Sequence, residues 1–194
     1  MNKLHQKFAL IVILLLASGN VFSQLKYEKE SRLKRSEIPV AALNLLESIA
    51  VPGKIKWYLE EGLQGKTIEA KFRFNNNYYS IEFDTQGNLQ DIEKTIPFTE
   101  VPDNVKESVI KKLESEFSKF SITKTQVHYP GKNPEIVSII RNPRAEIPNH
   151  VKYELIVNGK TGNTAKQYEM IFDHNGVLTG TKEIIQKNAD NLEF

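Results

Sequence analysis

No cysteine occurs among the 194 residues. That excludes a disulfide framework, a thiol nucleophile and a lipid attached through cysteine, so burial has to hold the fold together. Long hydrophobic runs are almost as scarce. The one unbroken apolar run, Phe8 to Ala17, follows Lys3 and Lys7 and is broken by Ser18-Gly19-Asn20. Ten residues are half of the roughly 20 that cross a bilayer, and Val21-Phe22-Ser23 places a small residue before a cut. The pattern predicts a signal peptide over 1–23, a mature start at Gln24 and no membrane span after cleavage. Export into a periplasm or beyond follows. The remaining 171 of the 194 residues are long enough to bury a core.

An excess of one charge is missing too. Removing Lys3 and Lys7 with the signal leaves 24 of the 26 basic residues against 24 acidic ones. A neutral chain excludes a broad nucleic-acid or anionic-membrane surface. The local run Lys26, Lys29, Arg32, Lys34 and Arg35 is interleaved with Glu28 and Glu30. It predicts a solvated, loosely attached polar leader over 24–37.

Signatures of chemistry are absent as well. No Gly-x-Ser-x-Gly elbow is present, and His128, His150 and His174 lack helical pairing or acidic partners at ligand spacing. They read as loop or surface histidines. Gly159-Lys160-Thr161-Gly162 lacks the spacing of a phosphate loop and reads as a hairpin. Glu60-Glu61 falls near a loop and reads as solvated. Asp84-Thr85-Gln86-Gly87 and Asp173-His174-Asn175-Gly176 each offer one carboxylate, too few for a calcium loop. Hairpin turns explain them better, leaving Asp84 and Asp173 as a weak alternative metal position. No enzyme activity, cofactor or metal is expected.

What is present is a pattern written twice. Ile38-Pro39 opens an amphipathic run with Ala42, Leu43, Leu46 and Ile49 on one stripe, ended by Pro52-Gly53. Val101-Pro102 opens another, with Val105, Val109, Leu113 and Phe117. Each is followed by β-rich segments and closes on an Asp-x-x-Gly turn. Alternation sets Trp57, Phe72, Phe74, Tyr79 and Phe83 on an apolar side, and Lys56, Tyr58, Glu69, Lys71, Arg73, Tyr78 and Glu82 on a polar one. Later strands are predicted over 122–129, 136–141, 151–158, 167–173 and 177–185. The second copy is longer, with extra residues around 130–148 and 159–166. Tyrosine and arginine on an uncovered sheet face are the residue types that anchor protein interfaces. Tyr58, Lys71, Arg73 and Tyr78 are therefore the candidate partner-binding residues.

The two Ile/Val-Pro helices, the strand Tyr79-Ser80-Ile81-Glu82-Phe83-Asp84-Thr85-Gln86-Gly87-Asn88-Leu89 and its echo from Gln167 to Leu178 resemble the PepSY-like family of small exported proteins. That family is related in fold to β-lactamase inhibitory protein, and the resemblance covers about 36–186. It implies an α+β fold of two tandem units, 38–96 and 97–187. Each would be a helix on one face of an antiparallel sheet, with adjoining sheets forming a concave surface and a polar tail over 188–194. It also implies a non-catalytic role, with an exported hydrolase or protease as the partner to be inhibited. The alternative is a small-ligand or calcium-responsive periplasmic sensor.

Overall fold

A computed structural model describes residues 24–26, 28–51, 53–63, 65–131, 137–142 and 150–185. The predicted signal peptide and polar tail lie outside the described residues. Helix α1 spans Val40–Ile49 and starts after Pro39, whose φ of −56° already suits a helix. It buries Ala42, Leu46 and Ile49 and stops at Ala50, which turns left-handed with φ 54°. Helix α2, Asp103–Glu116, follows Pro102 in the same way and buries Val105, Val109 and Leu113 at four-residue spacing. A short third helix, α3, spans Val137–Arg141. The strand predicted over 136–141 is thus corrected: Ile139 and Ile140 are both buried there, which adjacent residues of an alternating strand would not be.

The strands are β1 (Gln24–Lys26), β2 (Glu28–Arg32), β3 (Lys56–Gly62), β4 (Gly65–Phe74), β5 (Asn77–Phe83), β6 (Leu89–Thr95), β7 (Lys119–Pro130), β8 (Lys152–Thr161), β9 (Thr164–Asp173) and β10 (Leu178–Ile184). They form one sheet in the order β1-β10-β9-β8-β7-β6-β5-β4-β3-β2. Strands β2 to β10 are an antiparallel series of neighbours, and only β1 pairs in parallel, with β10.

This overturns the expected architecture of two helix-plus-sheet units. Asp91–Thr95 of β6 pair residue by residue with Gln126–Pro130 of β7, so the sheet continues where a boundary was expected. The apolar side of that sheet and the buried faces of all three helices share a single core cluster. Within it Trp57, Phe72, Tyr79 and Phe83 are buried as their alternation predicts, and Phe74 packs against its margin.

The leader reading of 24–37 is corrected as well. Its residues supply β1, β2 and a 3-10 turn over Arg35–Glu37. Single-residue alternation cannot show this, because β2 is polar on both sides. The consequence reaches across the molecule. β1 and β2 lie at opposite ends of the strand order yet are separated by one residue in sequence. Two Cα steps reach at most about 7 Å, so the sheet curls until its two edges meet on this stretch. Its polar side turns inward, which is why Glu169 and Gln126, on the side opposite the helices, are only 1% and 3% exposed.

Candidate functional site

The register brings the four predicted residues together. On the polar side, Tyr58 of β3 pairs with Glu69 of β4, which pairs with Glu82 of β5. The next row runs Lys56, Lys71 and Ser80, and the next pairs Arg73 with Tyr78. Lys71 Nζ lies 5.1 Å from the Tyr58 ring centre, and the Arg73 guanidinium 5.3 Å from that of Tyr78. The four residues therefore act as two cation–π pairs of different character. Tyr78 is 59% exposed and Arg73 is exposed, beside the Asn75-Asn76 turn, whose two residues both have positive φ. Tyr58 and Lys71 are half-buried.

Lys71 is occupied within the protein. Its ammonium lies 2.8 Å from Glu30 Oε1 of β2 and 2.7 Å from Glu69 Oε2. The Ser80 hydroxyl donates to Glu69, and Glu60 shares a further hydrogen bond with it. Burial opposes ionisation of Glu69, but the bonds from Glu60, Lys71 and Ser80 outweigh it and hold its pKa below the ordinary value. Burial likewise disfavours charged Lys71, but Glu30 and Glu69 push its pKa well above the ordinary range. Carboxylate oxygens of Glu30, Glu60 and Glu69 lie within 4.8 Å of one another, close enough to hold a cation. The Lys71 ammonium already supplies that charge. Glu60, read from sequence as solvated, is buried. Sequence reasoning missed this cluster because the pairing of Glu30 with Glu60 depends on β2 joining the sheet.

A second polar group sits at the β6–β7 seam. His128, read as a loop or surface histidine, is on β7 with Nε2 3.4 Å from Asp91 Oδ2. Gln126 Nε2 donates to Glu93 at 2.5 Å. Burial pulls the His128 pKa down, but Asp91, Glu93 and Glu154 more than compensate and raise it above 6.5. A raised folded pKa stabilises fully below the unfolded value and less as pH climbs through the folded one. Wild type should therefore exceed His128→Gln in stability most below about pH 6.5, with the gap closing as pH rises. Paired urea melts from pH 5.5 to 8.5 read this directly, and a pH-independent gap would reject the assignment.

The two aspartate turns are closed by their own loops. Asp84 Oδ1 accepts from the backbone N–H of Gln86 and Asn88, and its Oδ2 from the Asn88 amide. Asp173 Oδ1 accepts from the backbone N–H of Asn175 and Val177. A calcium ion at Asp84 or Asp173 would compete with these bonds. Gly159 and Gly162 fall in the β8–β9 hairpin, where Thr161 faces Thr164.

No family model matches the chain, and neither does any curated protein. Solved structures do. A DUF2874 family protein from Bacteroides ovatus ATCC 8483 aligns at 10% identity with TM-score 0.54, over 75% of this chain and 87% of that one. A Bacteroides eggerthii DSM 20697 protein, provisionally described as periplasmic, aligns at 14% identity with TM-score 0.53, over 75% and 88%. A BLIP-like protein from Bacteroides fragilis NCTC 9343 aligns at 17% identity over 79% and 92%, with TM-score 0.48. At these identities the first two show a shared fold and nothing more. The third, at its lower score, adds no argument.

Proposed function

We propose that this chain is a non-catalytic binding protein, working in the periplasm or beyond, that takes a protein partner at the β4–β5 end of its polar sheet side. The observation that carries this reading is the Tyr78–Arg73 pair. It is an exposed aromatic ring with a guanidinium over it, beside a tight turn. Such a pair offers apolar area and directed donors with little rotamer freedom left to lose on binding. A binding role also fits the ionisable groups of the sheet, where Lys71, His128 and Lys182 are each engaged by carboxylates. The export-signal pattern of 1–23 supports the compartment. The PepSY-like resemblance supplies the partner class, an exported hydrolase or protease whose active site the protein would block.

The test begins with capture from the native exported fraction and ends with the purified captured protein in a calorimeter. Arg73→Ala with Tyr78→Ala is expected to weaken its binding about tenfold or more, while thermal unfolding stays within a degree or two. Equal affinity for wild type and double variant would sink the assignment of this surface. Tyr58→Ala, whose ring is half-buried over Lys71, is expected to lower stability and to leave affinity for the partner nearly intact.

A further inference from the structure

Four exposed cations share the polar side of the sheet at one end. Arg32 ends β2 and pairs with Tyr58, and Lys56 opens β3 and pairs with Lys71. Arg73, next to last on β4, pairs with Tyr78, and that row continues through Thr95 to Gln126 of β7. Lys124 stands two residues before Gln126 in the same regular pairing, so it faces the same side. The stagger of the strands puts Arg32, Lys56, Arg73, Tyr78 and Thr95 each at an end of its strand, and Lys124 carries the line onto β7. All four cations are exposed. They form a rim with Tyr78 as its aromatic member.

No acid of the protein neutralises this rim. Lys71 and Lys182, deeper on the same side, are held by the buried carboxylates of Glu69 and Glu169. Among the described residues, by contrast, no carboxylate pairs with Arg32, Lys56, Arg73 or Lys124. The acids deeper on β4 and β6 are engaged elsewhere: Glu69 takes Lys71 and Ser80, and Glu93 accepts from Gln126. Glu154, opposite Gln126, stands diagonal to Lys124 without an ion pair to it. A chain with 26 basic and 24 acidic residues thus gathers four unmatched positive charges around one exposed tyrosine.

We propose that the partner presents an acidic segment, rich in Asp and Glu, to the rim of Arg32, Lys56, Arg73 and Lys124, with Tyr78 as the apolar anchor. The inference rests on the reading of a protein partner at the Tyr78–Arg73 pair and adds the chemistry of what that partner offers there. From β2 to β7 are five strand spacings, so the rim runs about 24 Å along the sheet. That is too long for one small anion and matches about seven residues of extended chain. The four residues face the inner side of the curl, where a protruding loop fits and a flat bilayer does not. Unmatched rim cations act first on the encounter, steering an acidic surface inward, and salt weakens them.

Residues 24–194 are titrated against a fluorescein-labelled peptide of about ten alternating Asp and Glu residues, and in parallel against its Asn/Gln counterpart, with anisotropy as the readout. The acidic peptide is expected to bind saturably, at least about tenfold tighter than the amide peptide, and to lose about tenfold between about 0.05 and 0.3 M salt. Lys56→Glu with Lys124→Glu is expected to weaken it about tenfold or more. Both residues are exposed, so this variant should melt with wild type, which separates lost binding from lost fold. No saturable binding of the acidic peptide, equal binding of the two peptides, or a charge-reversed variant that binds as wild type does overturns the proposal. Phosphatidylglycerol vesicles that hold wild type as tightly as the peptide, and fail to hold the same variant, would make the rim a membrane site and overturn it equally. The Tyr78–Arg73 assignment is judged apart from this, by the captured partner and the Arg73→Ala, Tyr78→Ala variant. A partner lost by that variant but indifferent to Lys56→Glu with Lys124→Glu leaves the pair in place and removes the acidic segment.

Discussion

Gly176→Val is expected to lower stability by about 3 kcal/mol, a large share of the total that holds a typical domain folded. Two independent penalties add at this position. Gly176 has φ +81°, a left-handed conformation that costs an L-residue about 1–2 kcal/mol, more for a branched one. A Cβ placed there would also sit 2.7 Å from Ser108 Cβ and 3.2 Å from Val105 Cα, on the first turns of α2. The hairpin after β9 is pressed against the helix, and neither side can retreat without opening the core around Val105 and Val109. Gly176→Asn isolates the second penalty, because asparagine tolerates the left-handed region but still carries a Cβ. Urea melts of both variants give the measurement. A loss below about 1 kcal/mol for Gly176→Val would mean that the turn and α2 are less tightly joined than described. Gly87 occupies the matching place against α1, with φ +87° and a would-be Cβ 2.7 Å from Pro39 Cβ, and should behave alike.

Lys71→Ala is the second large effect, about 2–3 kcal/mol at neutral pH. The Lys71 side chain is itself 38% exposed, so solvent screens part of what the figures for fully buried pairs would suggest. Removing it leaves Glu30, Glu60 and Glu69 grouped without their cation, two of the three buried. The pH dependence carries the signature. In wild type, the depressed pKa of Glu69 contributes stability above its ordinary value of 4.5, lost as pH falls through the folded value. In Lys71→Ala the crowded carboxyls hold protons more tightly, so the sign reverses and acidification narrows the gap to wild type. Adding Glu69→Gln to Lys71→Ala should recover about half of the loss at pH 7 by removing one of the stranded charges. A Lys71→Ala penalty that is constant from pH 4 to 8, with no recovery in the double variant, would show that the contacts are ornamental.

Local order was readable in the sequence wherever one physical signal dominated. The four-residue spacing of Val105, Val109 and Leu113 located α2, and alternation from Trp57 to Phe83 placed the core side of β3, β4 and β5. Tyr58, Lys71, Arg73 and Tyr78 fell on one side of the sheet by the same rule, and the register joins them as two pairs. What escaped was non-local. β2 is written Glu-Lys-Glu-Ser-Arg, a stretch with no apolar side, and nothing in it announces that Glu30 will face Glu60. The β6–β7 seam escaped for a related reason: Asp91, Glu93, Gln126 and His128 are polar residues whose burial comes from the curl of the sheet. A repeated pattern suggested two units, whereas strand pairing across the seam makes a single sheet.

That curl also sets an order of events. Gln24 pairs with Lys182 and Lys26 with Ile184, so the first and last strands described complete the sheet together. Closing so long a loop of chain is among the slowest steps a fold can demand, because the entropy is lost before the contact is gained. The sheet cannot be finished while the C-terminal strand is still being made or is held elsewhere. Until then β10 keeps an unpaired edge, and it is the strand on which misassembly would begin. Completion of this protein is therefore timed by its most distant pairing in sequence, that of β1 with β10.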